Sequence, residues 1–364
     1  MPEQTILFLG AGATASVRIG PVERAPTTGG ILPRIYRNRS ASSYDPKGRI
    51  DQLAAFLQEE FHVDPELPEN QYPGLPLLMS LIDMALDRRE AINANWDIGM
   101  LSELREAIEL GIFDVLEDVL RKAPTNNHYQ LLEKLFPPPA TPRIITTNYD
   151  LVADSTLLYL SQARQAGGGV PDYHCEIANM LSLRPEQKFG SIFKLHGSLN
   201  WLYCRNCQRL LLGATESTKF LGIFREVAPP DLLSSFSPDG SVCEVCNSTM
   251  LPLLIAPSHL KDYRNPHLSQ VWHQAQIALR RCARVVFVGY SLPDDDVEVI
   301  YLLKRGLAHL SPSQITVVQY CRENPAVLAR DHEVGRRYRA LFGDIDWHAG
   351  GLDEWIAKPT FGSS

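Results

Sequence analysis

The sequence lacks what several classes of protein require. No apolar run approaches the roughly 18 to 20 residues of a membrane span, so no transmembrane segment is expected. The start, MPEQTILFLGAG, has no basic stretch ahead of an apolar one and passes straight into a strand-like run, so no secretory leader is expected. Cysteine is scarce: seven in 364 residues, an odd number and too few for a disulfide scaffold, which points to reduced thiols and a cytoplasmic setting. Positive charge is not in excess, because 35 Lys and Arg face 42 Asp and Glu for a net charge of −7. A chain with that balance has no overall attraction for nucleic acid. Internal repeats and low-complexity tracts are missing too, which sets aside solenoids and disordered tails. What is present is an ordinary globular composition, 45% apolar and 21% charged. The length suits two domains of about 150 residues or one large domain with insertions.

Thr5–Leu9 (TILFL) is a continuous apolar run ending in Gly10-Ala11-Gly12-Ala13, the pattern of a strand buried on both faces and followed by a glycine-rich turn. Arg143–Thr147, led in by FPPPATP, and Arg284–Val288, ending at Gly289, have the same character, and Gln314–Gln319 follows a helical stretch at 295–309. Buried strands separated by long helical segments predict an α/β fold with a parallel sheet. Residues 20–50, rich in Gly, Pro, Arg and Ser, read as a long loop. Apolar residues at helical spacing in IDQLAAFLQEEF, LPLLMSLIDMALDRREAI, LSELREAIELGIFDVLEDVLRK and HYQLLEKLF predict an inserted helical bundle over 51–139.

Cys204-x-x-Cys207 and Cys243-x-x-Cys246 place two thiolates on each of two tight turns, the donor set of a tetrahedral Zn²⁺ site with no position left for water. Such a zinc is structural, in a ribbon module spanning 201–254 whose loop contains SSFSPDG. Four unrelated thiols, or a redox role for one pair, are the alternatives. Cys175, Cys282 and Cys321 read as buried packing residues.

Gly10-Ala11-Gly12 after a strand lets the backbone approach a pyrophosphate. Thr146-Thr147-Asn148-Tyr149-Asp150 leaves the second strand, Lys194-Leu195-His196-Gly197-Ser198-Leu199-Asn200 precedes the first cysteine pair, and Gly289-Tyr290-Ser291-Leu292 leaves the third strand. In a parallel sheet the carboxyl ends of the strands border one crevice, so polar groups from distant segments are expected to converge there.

This ordered set resembles the sirtuin family. The resemblance implies a Rossmann-like NAD-binding domain (1–50, 140–200 and 255–364) carrying the helical and zinc-ribbon insertions, with NAD⁺ as substrate. By that match Gly10, Ala11, Gly12 and Ser291 contact the phosphates, Asn148 and Asp150 line the nicotinamide and ribose pocket, and His196 is the catalytic histidine, with Asn148 as its partner. Thr14, Thr147, Gly289 and Gln319 complete the cofactor-binding set. The chain departs from lysine-deacylating sirtuins in having ATASVRIGPVERAP after the glycine turn, with no Asp-Phe-Arg, and PLLIAPSHLKDY where those enzymes pair an acyl-lysine peptide. LPLLIAPSHLKD, Trp272 and VVFVGYSLPDDD are instead similar to sirtuin-like NAD⁺ hydrolases of bacterial anti-phage defence, in particular the sirtuin-like partner of a HerA-type hexameric ATPase. The resemblance therefore implies NAD⁺ hydrolysis, a homo-oligomer, a HerA-type partner, and DNA contact only through that partner if at all. NAD-dependent lysine deacylation and a non-catalytic nucleotide-binding scaffold are the rival readings.

An imidazole that titrates near neutrality suits His196 to deprotonate a ribose hydroxyl or steer water, and Asn148 offers a neutral amide to orient that water. The plainer readings are a structural histidine beside a turn, and an Asx turn or helix cap at Asn148 and Asp150. Asp294-Asp295-Asp296 reads as a helix start after Pro293, with a metal site as the alternative. Arg34, Arg37 and Arg39 are either solvated, phosphate-clamping or partner-binding.

Overall fold

The computed structural model describes residues 4–16, 25–38, 49–64, 68, 71–121, 127–165, 168–213, 242–255, 257–258, 263–321 and 324–358. Arg39, His259 and the SSFSPDG stretch lie outside them. The chain divides into two compact units: Met1–Arg24, Ala123–Leu254 and Arg264–Ser364 form one, Ala25–Lys122 and Ile255–Tyr263 the other.

The first unit is built on a sheet of seven strands: β1 (Thr5–Leu9), β2 (Arg143–Thr146), β3 (Val170–Asp172), β4 (Lys188–Lys194), β8 (Arg284–Val288), β9 (Ile315–Val318) and β10 (Asp346–His348). Their order is β10-β9-β8-β1-β2-β4-β3, and every pairing is parallel. This is the parallel α/β sheet expected from the apolar runs, in the Rossmann-like form that the resemblance implies. Ile6, Leu7 and Phe8, like Val285, Val286 and Phe287, are wholly buried, as strands covered on both faces must be. Helix Val152–Arg164 packs on β3 and β4, and helix Pro266–Arg281 on β4 and on helix Val297–Gly306. Asn265 caps the helix Pro266–Arg281 by accepting from the amides of His267 and Leu268.

A second, three-stranded antiparallel sheet has the order β6-β5-β7, with β5 at Gly197–Tyr203, β6 at Leu210–Leu212 and β7 at Leu251–Leu254. It carries the cysteine module.

The second unit is helical, with helices Thr28–Asn38, Arg49–Phe61, Leu75–Arg88 and Ile98–Arg121. Its core gathers Leu53, Phe56, Leu78, Ile82, Leu101, Leu104 and Ile108, and Phe56 meets Trp96 edge-on at 4.9 Å. Residues 28–38 correct the loop expected there. Gly29, Gly30 and Pro33 disfavour helix locally, but Ile31, Leu32, Ile35 and Tyr36 bury one face, and Ile35 packs into a space that exists only because residue 111 is glycine. Arg34 and Arg37 therefore lie on a helix and not on a loop. No helix among the described residues is long and apolar enough to cross a membrane.

Candidate active site

The parallel register places the ends of five strands in one row. Val318, Val288, Leu9, Thr146 and Lys194 are successive partners across the sheet, so the residues that follow them emerge side by side. These are Gln319, Gly289, Gly10, Thr147 and Leu195. From β1 the chain passes first to β2 on one side and later to β8, β9 and β10 on the other, and a parallel sheet opens a crevice at such a switch point.

At the centre the glycine turn packs against the turn after β8. The Gly12 amide donates to the Gly289 carbonyl at 2.8 Å and the Gly10 amide to Val288 at 3.0 Å. A Cβ on Gly12 would meet the Gly289 backbone at 2.8 Å, and one on Gly10 the Tyr290 Cα at 2.5 Å. The glycines are thus required by the fold before any ligand is considered, and the Gly12 amide is already committed. Ala11 is half-buried beside them, and Ser291 is exposed at the crevice edge. The Tyr290 hydroxyl donates to Asp296 at 2.8 Å. That carboxylate ends the acidic run just ahead of helix Val297–Gly306, as expected for a helix start, but it makes no side-chain cap. Gln319 donates to the Tyr290 carbonyl at 2.6 Å, which fixes its amide against the neighbouring turn.

After β2, the chain forms a directed hydrogen-bond chain. Asn148 Nδ2 donates to the Gly10 carbonyl and to Thr14 Oγ1, both at 2.9 Å. Because the Asp150 carboxylate only accepts, the Thr14 hydroxyl gives its single proton to Asp150 Oδ2 at 2.5 Å. Asp150 Oδ1 accepts from the Val152 amide at 2.9 Å, so the Asx turn expected as the plainer reading is also present. Both Asn148 amide protons are spent, and among the described residues its carbonyl oxygen is the group of that amide left to accept. Thr147 is half-buried next to it.

His196 is buried to 6% exposure at the tip between β4 and β5, its ring 6.4 Å from that of Tyr149. Two contacts place this tip: the Leu195 amide donates to Thr146 at 2.9 Å, and the Trp272 indole donates to the Leu195 carbonyl at 2.8 Å. Gly197 has φ +81, and a Cβ there would collide with the Leu253 carbonyl oxygen, so only glycine makes this turn. In β5, Asn200 Nδ2 and Trp201 Nε1 are buried donors with no hydrogen-bond partner among the described residues.

Beneath this row lies a buried polar group that the sequence reading did not single out. Lys194 Nζ donates to the Asp150 carbonyl at 2.6 Å and to Asp154 Oδ2 at 2.9 Å, and Asp154 Oδ1 accepts from Tyr173 at 2.6 Å. Lys194 and Asp154 have no solvent exposure. Burial, then the nearby carboxylate, pushes the Tyr173 phenol well above its ordinary value, so it remains a donor. A lysine inside the apolar run SIFKLH was the available signal, since a charge on a buried strand requires a partner.

β5 runs from the His196 tip directly into the first cysteine pair. Cys204, Cys207, Cys243 and Cys246 bring their sulfurs within 4.8 Å of one another. The two halves are built alike. The Cys204 amide donates to Arg209 and the Cys243 amide to Ser248, each at 2.9 Å, and the residue after each second cysteine, Gln208 or Asn247, is left-handed. Hydrogen bonds from Ser248 lower the Cys246 thiol to about 6, and amides of Val245 and Cys246 lower Cys243. The hydrogen bond with Cys243 pushes Cys207 up to about 12. Four sulfurs on two matched turns form the donor set that a tetrahedral Zn²⁺ takes. Outside this cluster, burial raises Cys282 to about 11 and pushes Cys175 upward, which agrees with packing roles for both.

Comparison with known proteins adds four findings. The fold is similar to that of a Sir2 homologue in complex with NAD (14% identity, 98% of this chain and 87% of that one, TM-score 0.38). It is also similar to a Sir2 protein with a p53 peptide and NAD⁺ (14% identity, 93% and 92%, TM-score 0.35). No curated protein matches the chain. The SIR2-like domain family matches residues 142–338, more than half of the sequence, and with β2, the His196 tip, the cysteine module and the β8 turn all inside that span, the chain belongs to the SIR2-like family.

Proposed function

We propose that this chain is an NAD⁺ glycohydrolase that converts NAD⁺ and water to ADP-ribose, nicotinamide and a proton. The observation that carries the reading is the convergence of His196 and the Asn148–Thr14–Asp150 chain at the ends of β4, β2 and β1. The glycine turn, Ala11, Gly289 and Ser291 would border the phosphates, with Thr147 and Asp150 beside the ribose and Gln319 toward the adenosine side.

Cleavage breaks the bond between ribose C1′ and the pyridinium nitrogen, and its electron pair leaves with neutral nicotinamide. Positive charge develops on the ribose. The Asn148 carbonyl oxygen is a neutral acceptor that can hold a water hydrogen and leave the oxygen lone pair directed at C1′. His196 can take the proton released when that water adds. The four cysteines would hold one structural zinc, and its role is to fix β5 behind the His196 tip. The departures from the peptide-pairing segment of deacylating sirtuins favour water over an acyl-lysine as acceptor.

As inferred from the defence-type segments, the activity serves NAD⁺ depletion in bacterial anti-phage defence, in a homo-oligomer restrained by a HerA-type ATPase in the cytoplasm. NAD⁺ consumption by wild type, His196→Ala and Asn148→Ala tests the chemistry. ADP-ribose formation in wild type and loss of at least about a hundredfold in each variant is expected. Full activity in both variants would sink the assignment, and an O-acyl-ADP-ribose product formed only with an acylated peptide would replace it with deacylation.

A further inference from the structure

The Lys194–Asp154–Tyr173 group is a buried charge pair, and such a pair is a poor device for stability alone. Taking two charges out of water costs several kcal/mol per ion, and apolar residues of similar volume often serve a core as well or better. Its placement explains its presence. Lys194 is the last residue of β4 and lies two residues before His196, and its partner across the sheet is Thr146, two residues before Asn148. Its ammonium spans three segments: its own strand, the Asp150 carbonyl after β2, and Asp154 in helix Val152–Arg164. The same Asp150 receives the Thr14 proton, and Thr14 holds Asn148. The Tyr173 hydroxyl closes the far side by donating to the other Asp154 oxygen.

We propose that Lys194 is a positioning residue. Its clamp on Asp150 and Asp154 sets the distance between the Asn148–Thr14–Asp150 chain and His196, while touching no substrate. The proposal rests on the glycohydrolase reading. An ammonium bound to a carbonyl and a carboxylate has directional bonds on two sides, which an apolar side chain of equal volume lacks. An apolar replacement therefore leaves the fold in place and lets the Asp150 backbone drift, and small displacements in a catalytic constellation cost rate far more than binding.

The test uses the full-length chain and the triple substitution Lys194→Met, Asp154→Leu and Tyr173→Phe, which removes the whole group at once and leaves no charge stranded. ADP-ribose titration by calorimetry counts binding-competent chains, so that kcat is expressed per competent site and is not moved by partial unfolding. The expected result is an ADP-ribose Kd and a KM for NAD⁺ within about threefold of wild type, with kcat per competent site lower by about a hundredfold. Tyr173→Phe alone keeps the ion pair and serves if the triple variant does not fold; its kcat is expected to fall by about three- to tenfold at unchanged KM. Wild-type kcat per competent site in whichever variant folds overturns the positioning role while the glycohydrolase reading stands. A wild-type chain that binds ADP-ribose and never turns NAD⁺ over overturns that reading, and the proposal with it.

Discussion

Asn148 Nδ2 donates to Thr14 Oγ1 at 2.9 Å, and that hydroxyl in turn donates to Asp150. The proton order along this chain has one solution, because the Gly10 carbonyl and the Asp150 carboxylate can only accept. Thr14 thereby decides which end of the Asn148 amide faces the crevice. Replacing it with valine, of nearly equal volume, leaves one Asn148 proton and one Asp150 oxygen without a partner. Each such loss in a buried setting costs about 1–3 kcal/mol, so Thr14→Val is expected to lower kcat by about ten- to a hundredfold. Thr14→Ser keeps the hydroxyl and is expected to retain most of the rate. Steady-state NAD⁺ consumption by the two variants checks this, and equal rates would remove Thr14 from the account.

Much of this arrangement was legible before the structure, and the reason is local. Thr5–Leu9 and Arg284–Val288 are uninterrupted apolar runs that end in glycine, and the structure has strands at those same bounds. β4 was harder, because Lys188, Gly190, Ser191 and Lys194 interrupt its apolar residues; its strand state depends on pairing with β2 and β3, which no local pattern encodes. The helix Thr28–Asn38 was read as loop for the opposite reason, since its glycines and proline are local signals that tertiary burial overrides. The candidate site residues stand in short motifs at strand ends. Lys194 was in plain view within one of them, but Asp154 and Tyr173 have no spacing that ties them to it. Their association needs helix Val152–Arg164 laid across β3 and β4.

The matched cysteine turns predict one zinc per chain. Elemental analysis of the purified protein is expected to show that ratio, and native thiol titration to leave the four cluster cysteines protected until a chelator is added. Because the cluster's neighbours Leu202, Leu211 and Met250 form only a small apolar core, metal removal is expected to lower the melting temperature by several degrees. Since β5 joins the cluster to the His196 tip, NAD⁺ turnover should fall in parallel. Purified protein that holds no zinc, or whose four cluster thiols react before any chelator is added, would contradict the site.

Two glycines give a matched pair of opposite outcomes. Gly197 has φ +81 and its missing Cβ would strike the Leu253 carbonyl, so Gly197→Ala is expected to destabilise by about 3 kcal/mol or more and to abolish turnover. Gly29 sits within helix Thr28–Asn38, and among the described residues no atom lies within 4 Å of the place a Cβ would take. Gly29→Ala is therefore expected to stabilise its unit by about 0.5–1 kcal/mol. Chemical denaturation of both variants, followed by helix content, checks the contrast, and a similar loss in both would show that local backbone geometry was misjudged.

His128 supplies the pH dependence. It opens helix His128–Leu135, is buried to 2% exposure, and burial lowers its imidazole from 6.5 to about 4. The folded state therefore keeps this ring neutral where the unfolded chain has already taken up a proton. Between pH 6.5 and about 4 the unfolded state binds more protons, so stability must fall as the pH is lowered through that window. A shift of that size corresponds to roughly 3 kcal/mol at its lower end. His128→Leu removes the titration while keeping an apolar volume at the site. Its denaturation free energy is expected to be flatter than that of wild type from pH 6.5 down to about 4 and to match it most closely near neutrality. Parallel pH profiles for the two proteins would show that the acid sensitivity arises elsewhere.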